Sequence, residues 1–198
     1  RAVNACRKAG VVLAVGTGPR TPSDLRRAGA AVARRATGDT RIVAALSGIG
    51  ADHVRAFAEG WVLASYRFTR RSKPSPRSDS RLDVVVAAKD RPVARRAVER
   101  GVASARAVHL ARDLANTPSN EKSPRWLADQ ALKVAEAQGI TARTWSEEDL
   151  TAEGFGGVVA VGQGSDRPST IVQLDYVGSA KPAAHIVLVG KGITFDSG

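Results

Sequence analysis

Apolar runs that stop at glycine and give way to helical spacing recur through the first ninety residues, and this alternation constrains the fold more than any other feature of the sequence. "AGVVLAVG" (9–16) is a short apolar run ended by Gly16 and Gly18. "TPSDLRRAGAAVARRA" (21–36) then places Leu25, Ala28, Val32 and Ala36 at helical spacing, with Ser23 as the expected cap. "RIVAALSG" (41–48) repeats the strand signal, "ADHVRAFAEGWVLASYRF" (51–68) reads as a helix, and "RLDVVVAA" (81–88) as a further strand. Repeated strand–turn–helix units bury their apolar faces best as an α/β layer with a mostly parallel sheet.

From Pro92 to Leu114 alanine, arginine and valine take over at helical spacing, and proline suits the first turn of a helix. The turn formers "NTPSNEKSP" follow, so this helix reads as a connector, with a boundary near Asn116. The expected organisation is an N-terminal α/β domain over 1–91, a linking helix over 92–115 and a second domain over 116–198. In that second part Ser123, Pro124 and Gly139 bracket a helix. "ITARTWS" (140–146) reads as a strand and "EEDLTAEG" (147–154) as a short helix. "GGVVAVGQGS" (156–165), "PSTIVQLDY" (168–176) and "AAHIVLVGKG" (183–192) read as three apolar strands.

The 198 residues, 43% of them hydrophobic, suffice for one substantial core or two small ones. The chain starts at Arg1 and holds no methionine, which suggests an incomplete sequence. No apolar run reaches the ~20 residues of a membrane span, and the first residues lack a secretory pattern, so a cytoplasmic location is the default. The single Cys6 excludes an internal disulfide and a cysteine-rich zinc module, and with no paired base in evidence it reads as inert. The net charge of +11 is concentrated in "RFTRRSKPSPRSDSR" (67–81), which holds six basic residues and one acid. Its two prolines make it a solvated loop, with polyanion binding as the alternative.

The third of the expected strands runs into Lys191 and, five residues on, Asp196. Loops leaving the C-terminal ends of strands are where open α/β sheets bind ligands. Three readings stand. The pair can be an exposed ion pair worth about 0–1 kcal/mol. It can belong to a phosphate loop, which the sequence disfavours because Lys191 is followed by glycine and His185 stands where the first glycine is required. Or both can ligate a metal, which a lysine amine does only when neutral, in a site specialised by burial beside a multivalent cation.

"VGKGITFDSG" (189–198) resembles the signature loop of the leucyl (cytosol) aminopeptidase family, two-metal enzymes that remove N-terminal residues from peptides. In the same order, "SYRFTRRSKP" (65–74), "ARDLANTPSNEKSPRWLA" (111–128) and "GFGGVVAVGQGSDRPSTIVQLDY" (154–176) are similar to further segments of that family. The resemblance covers about residues 40–198. It implies a macrodomain-like N-terminal α/β domain, a linking helix and the start of a mixed-sheet α/β catalytic domain, with hexameric assembly. By the same resemblance Lys191 is a ligand of one metal and Asp196 bridges both, the ions being two divalent cations, manganese or zinc. A preference for leucine-type N-termini is implied too.

The family's catalytic lysine, catalytic arginine and remaining carboxylate ligands match no position here, so no catalytic residue is expected within this chain, which alone should be inactive. Lys133, Asp175 and Lys181 match no family site position. His53, His109 and His185 are scattered, and His185 reads as satisfying a local hydrogen bond. "GTGPRTPSD" (16–24) reads as a plain turn, with anion binding at the next helix N-terminus as the alternative. Two rival functions stay open at this point, nucleic-acid binding through 67–81 and nucleotide binding within 1–90.

Overall fold

The computed structural model describes residues 13–36, 41–46, 48–70, 72, 80–178 and 184–194. The chain divides into two compact units, Arg1–Asp113 and Leu114–Gly198.

The first unit begins with α1 (Pro22–Arg35). Its cap is Thr21, two residues before the expected Ser23. The Thr21 hydroxyl accepts from the Asp24 amide at 3.2 Å, while the Asp24 carboxylate accepts from the Thr21 amide at 3.0 Å. This reciprocal pair satisfies two otherwise orphaned donors and places Pro22 at the first helical position, where its missing N–H costs nothing. The strand expected over 9–16 is not found in its described part, since residues 13–17 carry no regular structure. The turn that follows uses positive φ at Gly18 and Arg20.

Strand β1 (Arg41–Ala45) pairs in parallel with β2 (Arg81–Val85), and helix α2 (Ala51–Ala64) lies between them in sequence. The helix ends at Ala64, four residues short of the expected Phe68, and is closed by Ser65, whose hydroxyl donates to the Val62 carbonyl at 2.7 Å. Alternation selects the faces of the strands. Ile42 faces Leu82 and Ala44 faces Val84 in register, and these four pack on the core. On the other face Arg41 is paired in register with Arg81, an unfavourable match of like charges. Asp83 resolves it by accepting from Arg41 Nε at 2.6 Å and Arg81 Nε at 2.9 Å. Those two hydrogen bonds, first Arg41's and then Arg81's, hold the Asp83 carboxyl below the usual carboxylate range.

The core of this unit joins Leu25, Ala28 and Val32 of α1 to Val54, Phe57 and Trp61 of α2. Fully buried Leu25 and Val54 each stabilise the fold by roughly 1.5–3 kcal/mol. A one-turn 3-10 segment (Ala88–Asp90) leads into α3 (Arg91–Asn116). Ala94, Ala97, Gly101 and Ala105 form its buried stripe, and the small side chains allow close approach to α2.

The second unit contains α4 (Pro124–Gln138), β3 (Thr141–Trp145), α5 (Glu147–Ala152), α6 (Gly156–Gly162) and β4 (Ile171–Asp175). Ser123 caps α4 by accepting from the Trp126 amide at 3.1 Å, and Gly139 ends it with φ 64°, a left-handed conformation that suits glycine. Strands β3 and β4 are antiparallel. The buried centre holds Ala128, Ala135, Trp145 and Leu150. Glu153 accepts from Trp145 Nε1 at 2.9 Å and Arg143 Nη2 at 2.8 Å, and the Arg143 guanidinium lies 3.9 Å over the Trp145 ring.

Two of the expected strands are not strands in their described residues. Residues 156–162 form a helix, its first turn closed by the Val158 amide donating to the Phe155 carbonyl at 3.0 Å. A short apolar run has no periodicity that separates strand from buried helix. Residues 184–192, with 193 and 194 after them, carry no regular structure and pair with no strand among the described residues. Their apolar side chains are open to solvent, Leu188 and Val189 being more than nine-tenths exposed. No helix among the described residues is long and apolar enough to cross a membrane.

Candidate metal loop and domain junction

Lys191 lies on the irregular segment 184–194 and is exposed. One neighbour locates this stretch against α4, since a Cβ at Gly192 would stand 3.1 Å from Leu127 Cδ2. Asp196 lies outside the described residues, so the separation of the two expected ligands is not part of the geometry. Among the described residues no group of three or more His, Cys, Asp or Glu is placed to hold a metal ion. The donor types suit zinc or manganese, but two donors leave any coordination sphere open. The described residues therefore form no complete metal centre.

The other candidates are dispersed. His185 is exposed on the same segment, Lys133 is exposed on α4, and Asp175 at the end of β4 accepts from Gln173 Nε2 at 2.8 and 3.0 Å. His53 sits in the first turn of α2. His109 packs on Tyr66 with ring centres 5.1 Å apart, and the Arg112 guanidinium lies 4.0 Å over the same tyrosine. His53 Nδ1 and His109 Nε2 are buried without a hydrogen-bond partner among the described residues. Cys6 and Lys181 lie outside the described residues, as does most of the basic loop 67–81. At the N-terminus of α1 the Asp24 carboxylate occupies the position an anion would take, held below its usual range chiefly by the Thr21 hydroxyl.

The junction motif 111–128 is where the geometry is most developed. After α3 ends at Asn116, the chain turns through buried Thr117 and the Pro118–Glu121 turn before α4 begins. Lys122 Nζ reaches back to donate to the carbonyls of Leu114 at 3.3 Å and Ala115 at 3.2 Å, filling acceptors the helix end leaves open. From the other side Arg167 donates through Nη1 to the Ser119 carbonyl and through Nη2 to the Asn120 carbonyl, both at 2.9 Å. The planar fork of a guanidinium suits two adjacent acceptors. Arg167 is itself set by its own amide, which donates to Ser165 Oγ at 3.0 Å. Sequence reading did not single out Lys122 or Arg167, because their partners are carbonyl groups and main-chain acceptors leave no signature in residue identity.

Behind this loop, Ser169 donates its amide to Glu147 Oε2 at 2.7 Å and Thr170 Oγ1 donates to the Trp145 carbonyl at 2.7 Å. The segment 163–170 is thus tied to β3 and α5, and the Arg167 fork stands on that base.

Residues 109–198 match the model of the cytosol aminopeptidase family, catalytic domain, and residues 2–74 match the N-terminal domain model of the same family. The chain belongs to the cytosol aminopeptidase family. A probable cytosol aminopeptidase of Mycobacterium marinum is 41% identical over 201 residues, a match covering 94% of this chain and 38% of that protein. The chain thus spans about two fifths of the length of the curated relatives it matches. Among solved structures, the bottromycin maturation enzyme BotP in complex with Mn is 34% identical with TM-score 0.70, covering 83% of this chain and 36% of that one. A tomato leucine aminopeptidase variant, at 23% identity and TM-score 0.73 over 84% of this chain and 36% of that one, shares the fold. The architecture is accordingly α/β, of the leucine aminopeptidase type.

Proposed function

We propose that this chain forms the N-terminal domain (1–91), linking helix (92–115) and opening part of the catalytic domain (116–198) of a metal-dependent aminopeptidase. The observation that carries this reading is the match of residues 109–198 to the family's catalytic-domain model, which contains Lys191. The whole protein would release N-terminal residues of leucine type from peptides in the cytoplasm, working as a homohexamer. A relative in the fold carries manganese, which supports a divalent-metal centre with manganese or zinc.

Two bound divalent ions would supply Lewis acidity toward the scissile carbonyl and acidify a bound water. The share assigned to this chain is two donors, the Lys191 amine and the Asp196 carboxylate. Lys191 is exposed on its segment, and its amine would ligate a cation only in the neutral form that a neighbouring multivalent ion favours. Selectivity for a free N-terminus fits an amine that binds a cation, since an internal peptide bond has no amine to offer. With only two donors, the 198 residues alone are expected to turn over no peptide.

Hydrolysis of a leucine anilide with added manganese tests the proposal, measured for these 198 residues and for the product of the complete gene. Turnover by the gene product, abolished by Lys191→Met and by Asp196→Asn, supports it. A gene product that cleaves no N-terminal residue would overturn it, and turnover by the 198 residues alone would overturn the assignment of their share.

A further inference from the structure

A pocket of about 290 Å³ opens between the first turns of α2 and the N-terminal half of α3. Ala51, Val93 and Ala97 supply its apolar lining. Arg55, Arg96 and Arg100 line it too, against the single carboxylate of Asp52.

Three guanidinium groups gathered on one concavity repel one another unless counter-charge is present. Of the carboxylates that helical spacing would offer them, Asp52, three residues before Arg55, lines the pocket, and the other two are committed elsewhere. Glu59, four residues after Arg55, pairs with Arg26 at 3.2 Å, and Glu99, three after Arg96, pairs with Arg95 at 3.0 Å. Arg55, Arg96 and Arg100 make no ion pair among the described residues. Helix α2 opens at Gly50 with no side-chain cap, which adds the positive end of a 14-residue helix on the same side.

We propose that this pocket binds the diphosphate group of a small phosphorylated molecule. Three guanidinium groups against one carboxylate leave an excess of two positive charges, which offsets most of the negative charge of a diphosphate near neutrality. Guanidinium forks pair two donors with two phosphate oxygens, so Arg96 and Arg100, one helical turn apart on α3, can grip adjacent phosphoryl groups. The volume falls at the lower end of the range for small-ligand sites, about 300 Å³. The apolar lining residues suit the carbon portion of an ester. This site shares no residue with the metal loop, so it stands independently of the proposed peptidase activity.

The test is calorimetric titration of the protein with inorganic pyrophosphate at constant ionic strength, with sulfate as a charge control. One site per chain is expected, binding pyrophosphate in preference to sulfate. Arg96→Gln and Arg100→Gln are each expected to weaken it by about tenfold, as loss of a charge-assisted pair does. Arg34→Gln removes the same charge from the last turn of α1 and is expected to leave the affinity unchanged. Thermal melts of the three variants establish that all are folded. Absence of saturable binding would overturn the proposal, as would equal weakening by Arg34→Gln. Displacement of pyrophosphate by a short DNA duplex, with the duplex losing affinity in the Arg96 and Arg100 variants, would mark the patch as a nucleic-acid surface and equally overturn it.

Discussion

Gly60 of α2 rests directly on the backbone carbonyl of Arg26 in α1, with no room for a Cβ between them. Gly29 of α1 meets the carbonyl of Phe57 in the same way, so the two helices touch through reciprocal glycines. Alanine at either position gains about 1 kcal/mol of helix propensity. That gain is outweighed, because the obstructing atom is main chain and cannot rotate aside, and overpacking costs typically 1–3 kcal/mol or more. Gly29→Ala and Gly60→Ala are expected to lower the urea midpoint of unfolding. Gly157→Ala in α6, where nothing lies within 4 Å of the added methyl, is expected to hold or raise it.

Asp83 gives a pH signature. Its carboxyl is held below the usual range by Arg41 and then Arg81, so the folded chain binds a proton there less readily than the unfolded chain does. The stabilisation is complete above the unfolded-state carboxylate value, about pH 4, and is lost as pH falls through the folded value. Asp83→Asn is expected to destabilise the protein at neutral pH and to converge on the parent once pH has fallen below the folded-state value of Asp83. Parallel urea titrations across that window check this, and a constant difference down to the acid limit would refute it. Asp149, held low by the Ser146 amide and then its hydroxyl, has the same sign.

Arg167 holds the junction turn through two carbonyls, so its removal is expected to act locally. Arg167→Ala leaves the Ser119 and Asn120 carbonyls to water and costs about 1 kcal/mol, the net worth of exposed hydrogen bonds. Limited proteolysis is expected to cut faster between Thr117 and Ser123, while cleavage elsewhere is unchanged. Lys122→Met removes the grip on Leu114 and Ala115 and is expected to add to the effect at the same bonds.

Lys191 and Asp196 are assigned a cation on resemblance. In the product of the complete gene, Lys191→Met and Asp196→Asn are each expected to weaken manganese binding by at least tenfold, read from the free-ion signal in electron paramagnetic resonance. Unaltered manganese affinity in both variants would remove them from the metal centre.

The sequence carried the α/β alternation because glycine-ended apolar runs and helical spacing are local signals, visible at Ile42, Val54 and Leu82 without any knowledge of their neighbours. It also carried both ends of α4 through Ser123 and Gly139, whose roles are set by backbone geometry a few residues wide. It misread 156–165 because "GGVVAVG" is too short for periodicity to decide between strand and helix. It missed Thr21, since Thr21 and Ser23 are both capping residues and only the Asp24 carboxylate selects between them. Lys191 was legible only through a ten-residue motif, for nothing in a lone lysine states that it meets a metal. The Arg55, Arg96 and Arg100 pocket was illegible for the opposite reason, because its members come from two helices and converge only on folding.

The exposure of Ile186, Val187, Leu188 and Val189 bears on how the protein behaves in a tube. Four consecutive strand-forming residues, uncharged and free of proline, present backbone donors and acceptors that no described strand satisfies. Such a stretch is a template onto which a second molecule can zip the same residues. Concentration then becomes a chemical variable: solutions of these 198 residues are expected to scatter more light as they are concentrated, through pairing of this short hydrophobic ribbon.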